Sequence, residues 1–120
     1  FLFISHDLAV IQHVSDRIGV MYLGRLVELA EASDLFASPL HPYTQALLAA
    51  VPTVDALGTH RGGRKVVLAG DIPSPRNPPA GCPFHTRCPK VMDRCRTIVP
   101  PLATPVGHTS RTVACHLYEP

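Results

Sequence analysis

No apolar run in this 120-residue sequence is long enough to cross a bilayer, so this stretch holds no membrane-spanning segment. The pattern Gly-x-x-x-x-Gly-Lys-Ser/Thr, whose backbone N–H groups wrap a phosphate, is also missing. The nearest glycine cluster, Arg61-Gly62-Gly63-Arg64-Lys65, has neither that spacing nor a strand-to-helix setting. The chain therefore cannot cradle a triphosphate by itself. Charge of one sign is scarce: the net charge is +2, too small for a nucleic-acid footprint. The seven histidines add positive charge only in mild acid. Aromatic residues make up 6% of the chain, few for stacking bases.

Proline and cysteine are unevenly spread. Of thirteen prolines, nine fall between Pro73 and Pro105. All four cysteines, Cys82, Cys88, Cys95 and Cys115, lie in the second half. A periodic first half thus gives way to a proline-punctuated, cysteine-bearing second half. The expected division is an α/β unit over 1–51, a linker over 52–65 and an irregular extension over 66–120.

Phe1-Leu2-Phe3-Ile4 is a continuous apolar run, as expected of a strand buried on both faces. A domain seldom opens inside such a strand, so the chain is expected to be incomplete. The absence of a signal peptide then carries no weight. Ser5 or Asp7 can cap a helix over Asp7–Ser15, with Leu8, Ile11 and Val14 on one face. Ile18–Leu23 and Leu26–Leu29, joined through Gly24-Arg25, read as a hairpin. A short helix over Glu31–Ala37 follows. Another is expected over Tyr43–Val51, with Pro42 as its first residue and Pro52 as its stop. Gly58, Gly62 and Gly63 suit a linker. Val66–Leu68 is an expected strand, Pro89–Arg96 a helical turn or two, and Thr112–Tyr118 a last strand.

His6 sits where a strand ends and a helix begins, the side of an open α/β sheet where ligands bind. An imidazole there can donate a hydrogen bond to a phosphate oxygen. Taken alone, it reads as an ordinary loop histidine. Its surroundings change that reading. Phe3-Ile4-Ser5-His6-Asp7-Leu8, Val14-Ser15-Asp16-Arg17 and Val20-Met21-Tyr22-Leu23-Gly24-Arg25-Leu26-Val27-Glu28 together resemble the end of an ABC-transporter ATPase domain. Ser38-Pro39-Leu40-His41-Pro42-Tyr43-Thr44-Gln45-Ala46-Leu47-Leu48 narrows the resemblance to the ATP-binding subunits of bacterial oligopeptide and dipeptide importers.

That resemblance implies a parent ATPase using ATP and Mg, with His6 as the switch histidine that contacts the γ-phosphate and positions the attacking water. One donor aimed at that phosphate matters, because phosphoryl transfer depends on positioning and electrostatics. The implied partners are a second ATPase subunit, transmembrane permease subunits and, indirectly, a periplasmic or surface peptide-binding protein. The implied location is the cytoplasmic face of the bacterial inner membrane. This chain, lacking the phosphate loop, is expected neither to bind nor to hydrolyse ATP. His41-Pro42-Tyr43 reads chemically as a helix start, since no second catalytic group lies at useful spacing.

Cys82 and Cys88 are separated by five residues, Cys88 and Cys95 by six, and Cys95 and Cys115 by nineteen. The spacing matches neither common zinc modules nor the short ferredoxin run, so it points to a metal without choosing one. Disulfides suit oxidising compartments, and buried free thiols are the plain alternative. His85 stands between the first two cysteines as a further donor. Gly81-Cys82-Pro83-Phe84-His85-Thr86-Arg87-Cys88-Pro89, with Cys95 following, resembles the C-terminal extension of the same importers. The resemblance implies a 4Fe-4S cluster on Cys82, Cys88, Cys95 and Cys115, with zinc as the second choice. Two other classes compete with this reading. A metal-stapled binding module would use Arg61, Arg64 and Lys65, and a cysteine hydrolase would need a third orienting residue that the sequence does not offer.

Overall fold

The computed structural model describes residues 1–51, 53–54, 60–61 and 68–119. Helix α1, Leu8–Val14, begins as expected, with the Asp7 carboxylate accepting the N–H groups of Ala9 and Val10 at 3.0 and 3.2 Å. The apolar run ahead of it forms no strand. Phe1, Leu2, Phe3 and Ile4 are exposed, and no described segment pairs with them. A strand exists only through its ladder, and among the described residues this run has no neighbour.

Strands β1, Arg17–Tyr22, and β2, Arg25–Glu31, form the hairpin. Its two-residue turn puts Leu23 at φ 47° and Gly24 at φ 76°, the left-handed pair that matches strand twist. Opposed residues Ile18–Ala30 and Val20–Glu28 share the inner face. The register shifts between Val20 and Met21, leaving Val27 as the extra residue of a bulge. Val27 and Glu28 are consequently both buried, and alternation along β2 is broken.

Helix α2, Ala32–Ala37, packs Leu35 under the sheet, and α3 spans Pro42–Ala49. Within the expected linker, β3, Thr53–Val54, pairs antiparallel with β4, His60–Arg61. Val66 and Val67 of the expected strand lie outside the described residues, and Leu68 is in no regular element. Cys95 sits in a 3-10 turn, Asp93–Arg96. The expected last strand is short. Only Thr112–Val113, β5, pairs with Glu28 and Leu29 of β2, and His116–Tyr118 closes the chain as a second 3-10 turn. The order β1-β2-β5 makes one antiparallel three-stranded sheet from both halves of the sequence. The fold is α/β, and its core is shared: Ile18, Val20, Tyr22 and Leu35 pack with Cys82, Phe84 and Cys95. Tyr22, Tyr43 and Phe84 have ring centroids 4.8–5.4 Å apart.

Candidate functional site

The cysteines come together because tight turns replace regular elements. The Cys82 N–H donates to the Cys95 carbonyl at 2.8 Å, joining two thiol-bearing segments. Gly81 makes this approach possible. It has φ 72°, and a Cβ there would collide with the carbonyl oxygen of Cys95 and the backbone of Arg96 and Thr97. The chain then coils through bonds from His85 N–H to Cys82 O and from Cys88 N–H to His85 O. Cys115 arrives from the far end of the sequence. The Ala114 N–H donates to the Val27 carbonyl at 2.8 Å and extends the β5–β2 contact to its neighbour.

All four cysteines are free thiols. Burial pushes the Cys115 thiol up to about 11, the Leu117 N–H pulls it back, and Cys82, Cys88 and Cys95 each push it further. Burial likewise raises Cys82, against hydrogen bonds from the Phe84 and His85 N–H groups, with Cys95 and Cys88 adding to the rise. Burial also raises Cys88, whose sulfur accepts the Lys90 N–H at 3.4 Å. The four thiols are thus near enough to feel one another's charge. A nucleophilic cysteine needs a lowered pKa, and these three are moved the wrong way for a cysteine hydrolase. Among the described residues, no three His, Cys, Asp or Glu side chains are arranged to hold a metal ion. His85 is committed elsewhere, its Nδ1 donating to the Cys82 carbonyl at 2.9 Å.

His6 is not part of this group. It lies exposed just ahead of α1. His41 is buried as the cap of α3, its Nδ1 accepting the Tyr43 N–H at 3.0 Å, while its Nε2 has no partner. The His-Pro-Tyr segment is therefore a helix start, with Tyr43 stacked in the aromatic group.

Sequence reading missed the buried charges beside the thiols. Glu28 is 0% exposed, and its two oxygens accept the N–H groups of Leu40 and His41, each at 2.9 Å. Arg111, 3% exposed, donates through Nη2 to Glu28 Oε1 at 2.6 Å and to the Ser38 carbonyl at 2.9 Å. A second link holds the chain after Cys115. His116 Nε2 donates to the Ile98 carbonyl at 2.8 Å, its Nδ1 lies 2.8 Å from Glu119 Oε1, and Arg94 binds Glu119 Oε2 at 2.6 Å. The only signal in the sequence was Glu28 within the apolar run Leu26–Leu29; Arg111 stands in a polar stretch between Ser110 and Thr112.

The family pattern described as the C-terminal region of oligopeptide/dipeptide transporters matches residues 27–95, more than half of the chain. The chain belongs to this oligopeptide/dipeptide transporter C-terminal-region family. Among relatives, a probable peptide ABC transporter ATP-binding protein of Sinorhizobium fredii is 55% identical over 99% of the chain and 32% of its own length. An oligopeptide transport ATP-binding protein of Bacillus subtilis is 52% identical over 99% of the chain and 35% of its own length. The chain thus spans about a third of the curated relatives it matches. The matched transporter region contains Glu28, Cys82, Cys88 and Cys95, whereas Arg111 and Cys115 lie beyond it. Among the described residues, no helix is long and apolar enough to cross a membrane.

Proposed function

We propose that the chain is the C-terminal part of the ATP-hydrolysing subunit of a bacterial peptide importer. The observation that carries this reading is the alignment of nearly the whole chain with peptide-transport ATP-binding proteins at 52–55% identity. On this reading, residues 1–51 close an ABC ATPase domain, 52–65 join it to the extension, and 66–120 form the extension with the cysteine site. ATP and Mg are held by the portion of the subunit that carries the phosphate loop. His6, exposed at the start of α1, is free to reach the γ-phosphate and hold the attacking water in line. A second ATPase subunit, the permease subunits and, indirectly, a peptide-binding protein complete the assembly at the cytoplasmic face of the inner membrane. Nucleic acid is not a partner.

Sequencing the coding region upstream of Phe1 tests the assignment. A phosphate loop followed by an acidic strand is expected, and unrelated sequence there overturns it. Within the complete subunit, His6→Ala should lower kcat by about 10²–10³ while ATP still binds, as for loss of one donor to the reacting oxygen. The 120-residue chain alone should show no ATP hydrolysis; turnover abolished by His6→Ala would refute that.

Cys82, Cys88, Cys95 and Cys115 are proposed as ligands of a 4Fe-4S cluster. The donor set supports this: four sulfurs, no competing carboxylate, and backbone N–H groups directed at three of the sulfurs. Around one zinc ion, Zn–S bonds of about 2.3 Å would bring the sulfurs within about 4 Å of one another. Zinc on the same four sulfurs is the second choice. When bound, the cluster would supply a rigid four-point staple to a region poor in regular structure. Anaerobic purification with iron, sulfide and zinc analysis decides the matter. Iron and acid-labile sulfide in equal amounts are expected, and a colourless protein with stoichiometric zinc overturns the cluster.

A further inference from the structure

Cys115 reaches the other thiols on a short attachment. Thr112 and Val113 pair with β2, one more backbone bond to β2 follows at Ala114, Val113 exchanges two bonds with Ala103 of its own half, and Cys115 packs with Leu40 and Val113. Pro100, Pro101 and Pro105 keep the preceding stretch out of regular structure. A two-residue pairing does not hold a chain end by itself. The Glu28–Arg111 pair stands at the beginning of this attachment and spans 83 positions of sequence.

We propose that Arg111 and Glu28 form a buried latch that seats the final segment on the sheet and thereby positions Cys115 with Cys82, Cys88 and Cys95. Glu28 faces inward opposite Val20, where its carboxylate already accepts the Leu40 and His41 N–H groups. Among the described residues, Arg111 is the side chain that brings positive charge to it, and it also binds the Ser38 carbonyl. One guanidinium therefore ties the C-terminal segment to both the hairpin and the entry of α3. Removing Arg111 would leave a buried carboxylate uncompensated, a strong penalty that releasing the segment relieves. The Arg94–Glu119 link on the other side of Cys115 is weaker, because Arg94 is 49% exposed and screened by water. Arg111 and Glu28 are thus positioning residues, and the release of Cys115 should be selective. Cys82 and Cys95 are tied to each other by their own backbone bond and share the core with Phe84.

That Cys115 is positioned as a ligand rests on the cysteine-site reading, whereas the latch itself does not. The test therefore has two arms. In the first, reduced, chelator-treated protein is pulsed with iodoacetamide, and each thiol is followed by mass spectrometry. Arg111→Met should speed Cys115 alkylation by about 100-fold, the local opening expected from breaking a buried pair, and leave Cys82 and Cys95 at their original rates. Glu28→Gln should act in the same direction. Arg111→Lys should restore part of the protection by retaining the charge, and Arg94→Ala should change Cys115 by only a few-fold. An unchanged Cys115 rate in Arg111→Met, or equal acceleration of all four thiols in both Arg111→Met and Arg111→Lys, overturns the latch. Should Arg111→Met not fold, Arg111→Lys decides by the same selectivity. In the second arm, the iron and sulfide content of the anaerobic protein is measured in the same variants. Selective Cys115 exposure with unchanged iron content keeps the latch and removes Cys115 from the ligand set. Loss of iron with Arg111→Met, partly recovered with Arg111→Lys, supports both.

Discussion

His41 is 1% exposed, and burial drives its pKa down to about 4, with the Glu28 carboxylate pulling the other way. The folded protein thus keeps the ring neutral over a range where an unfolded chain, with an ordinary value near 6.5, takes up a proton. The stabilisation is fully present above about pH 6.5, is lost progressively as the pH falls toward 4, and changes no further below that. The depression corresponds to about 3 kcal/mol between the two limits. Asn at this position keeps a cap acceptor for the Tyr43 N–H and has no titrating group. Urea unfolding at pH 7 and pH 5 should therefore show a stability loss in the natural protein that His41→Asn largely lacks. Equal pH dependence of the two would refute this. Two glycines offer a contrast at the same scale. A Cβ at Gly24 meets nothing within 4 Å, so Gly24→Ala should cost only the left-handed backbone term, about 1–2 kcal/mol. At Gly81 the same methyl strikes the backbone of Cys95, Arg96 and Thr97, so Gly81→Ala should cost more than that and loosen Cys82 from Cys95. Denaturant midpoints of the two variants check the order.

Most elements were legible because their signals are local. Asp7 ahead of Leu8, Gly24 in the hairpin turn and Pro42 at the start of α3 each fix an element boundary through short-range chemistry. The elements misread depend on distant partners. Phe1–Ile4 has the composition of a strand, yet its ladder requires a neighbour, and none pairs with it among the described residues. Thr112–Tyr118 alternates over seven residues, but only Thr112 and Val113 find room beside β2. Within β2, Glu28 faces inward in step with Ala30 and the bulge buries Val27 beside it, so a polar residue takes the core face that the apolar residues around it would be expected to fill. The four cysteines stand out in the sequence through their number and residue type. The charged latch beside them does not, since neither a lone Glu in an apolar run nor an Arg between Ser110 and Thr112 carries a mark of a partner 83 positions away.

Across the whole molecule, Phe84 joins what composition divides. It is 1% exposed and touches Tyr22 of the hairpin, Tyr43 of α3 and His41. With β5 completing the sheet of the first half, the two parts of the sequence share one core. They should unfold together, and near-ultraviolet dichroism and the exposure of Cys95 should report the same urea midpoint. Phe84→Ala should lower stability by about 3–5 kcal/mol and move both probes equally. Two separated midpoints in the natural protein would show that the halves melt independently.

The burial of Glu28 on the inner face of the hairpin also has a consequence for inheritance. Either member of the Glu28–Arg111 pair, left alone, is a charge stranded away from water. Substitution at one position is then tolerated only where the other has changed already or changes with it. Natural relatives should carry both or neither, and those lacking the segment around Arg111 should have an uncharged residue where this chain has Glu28.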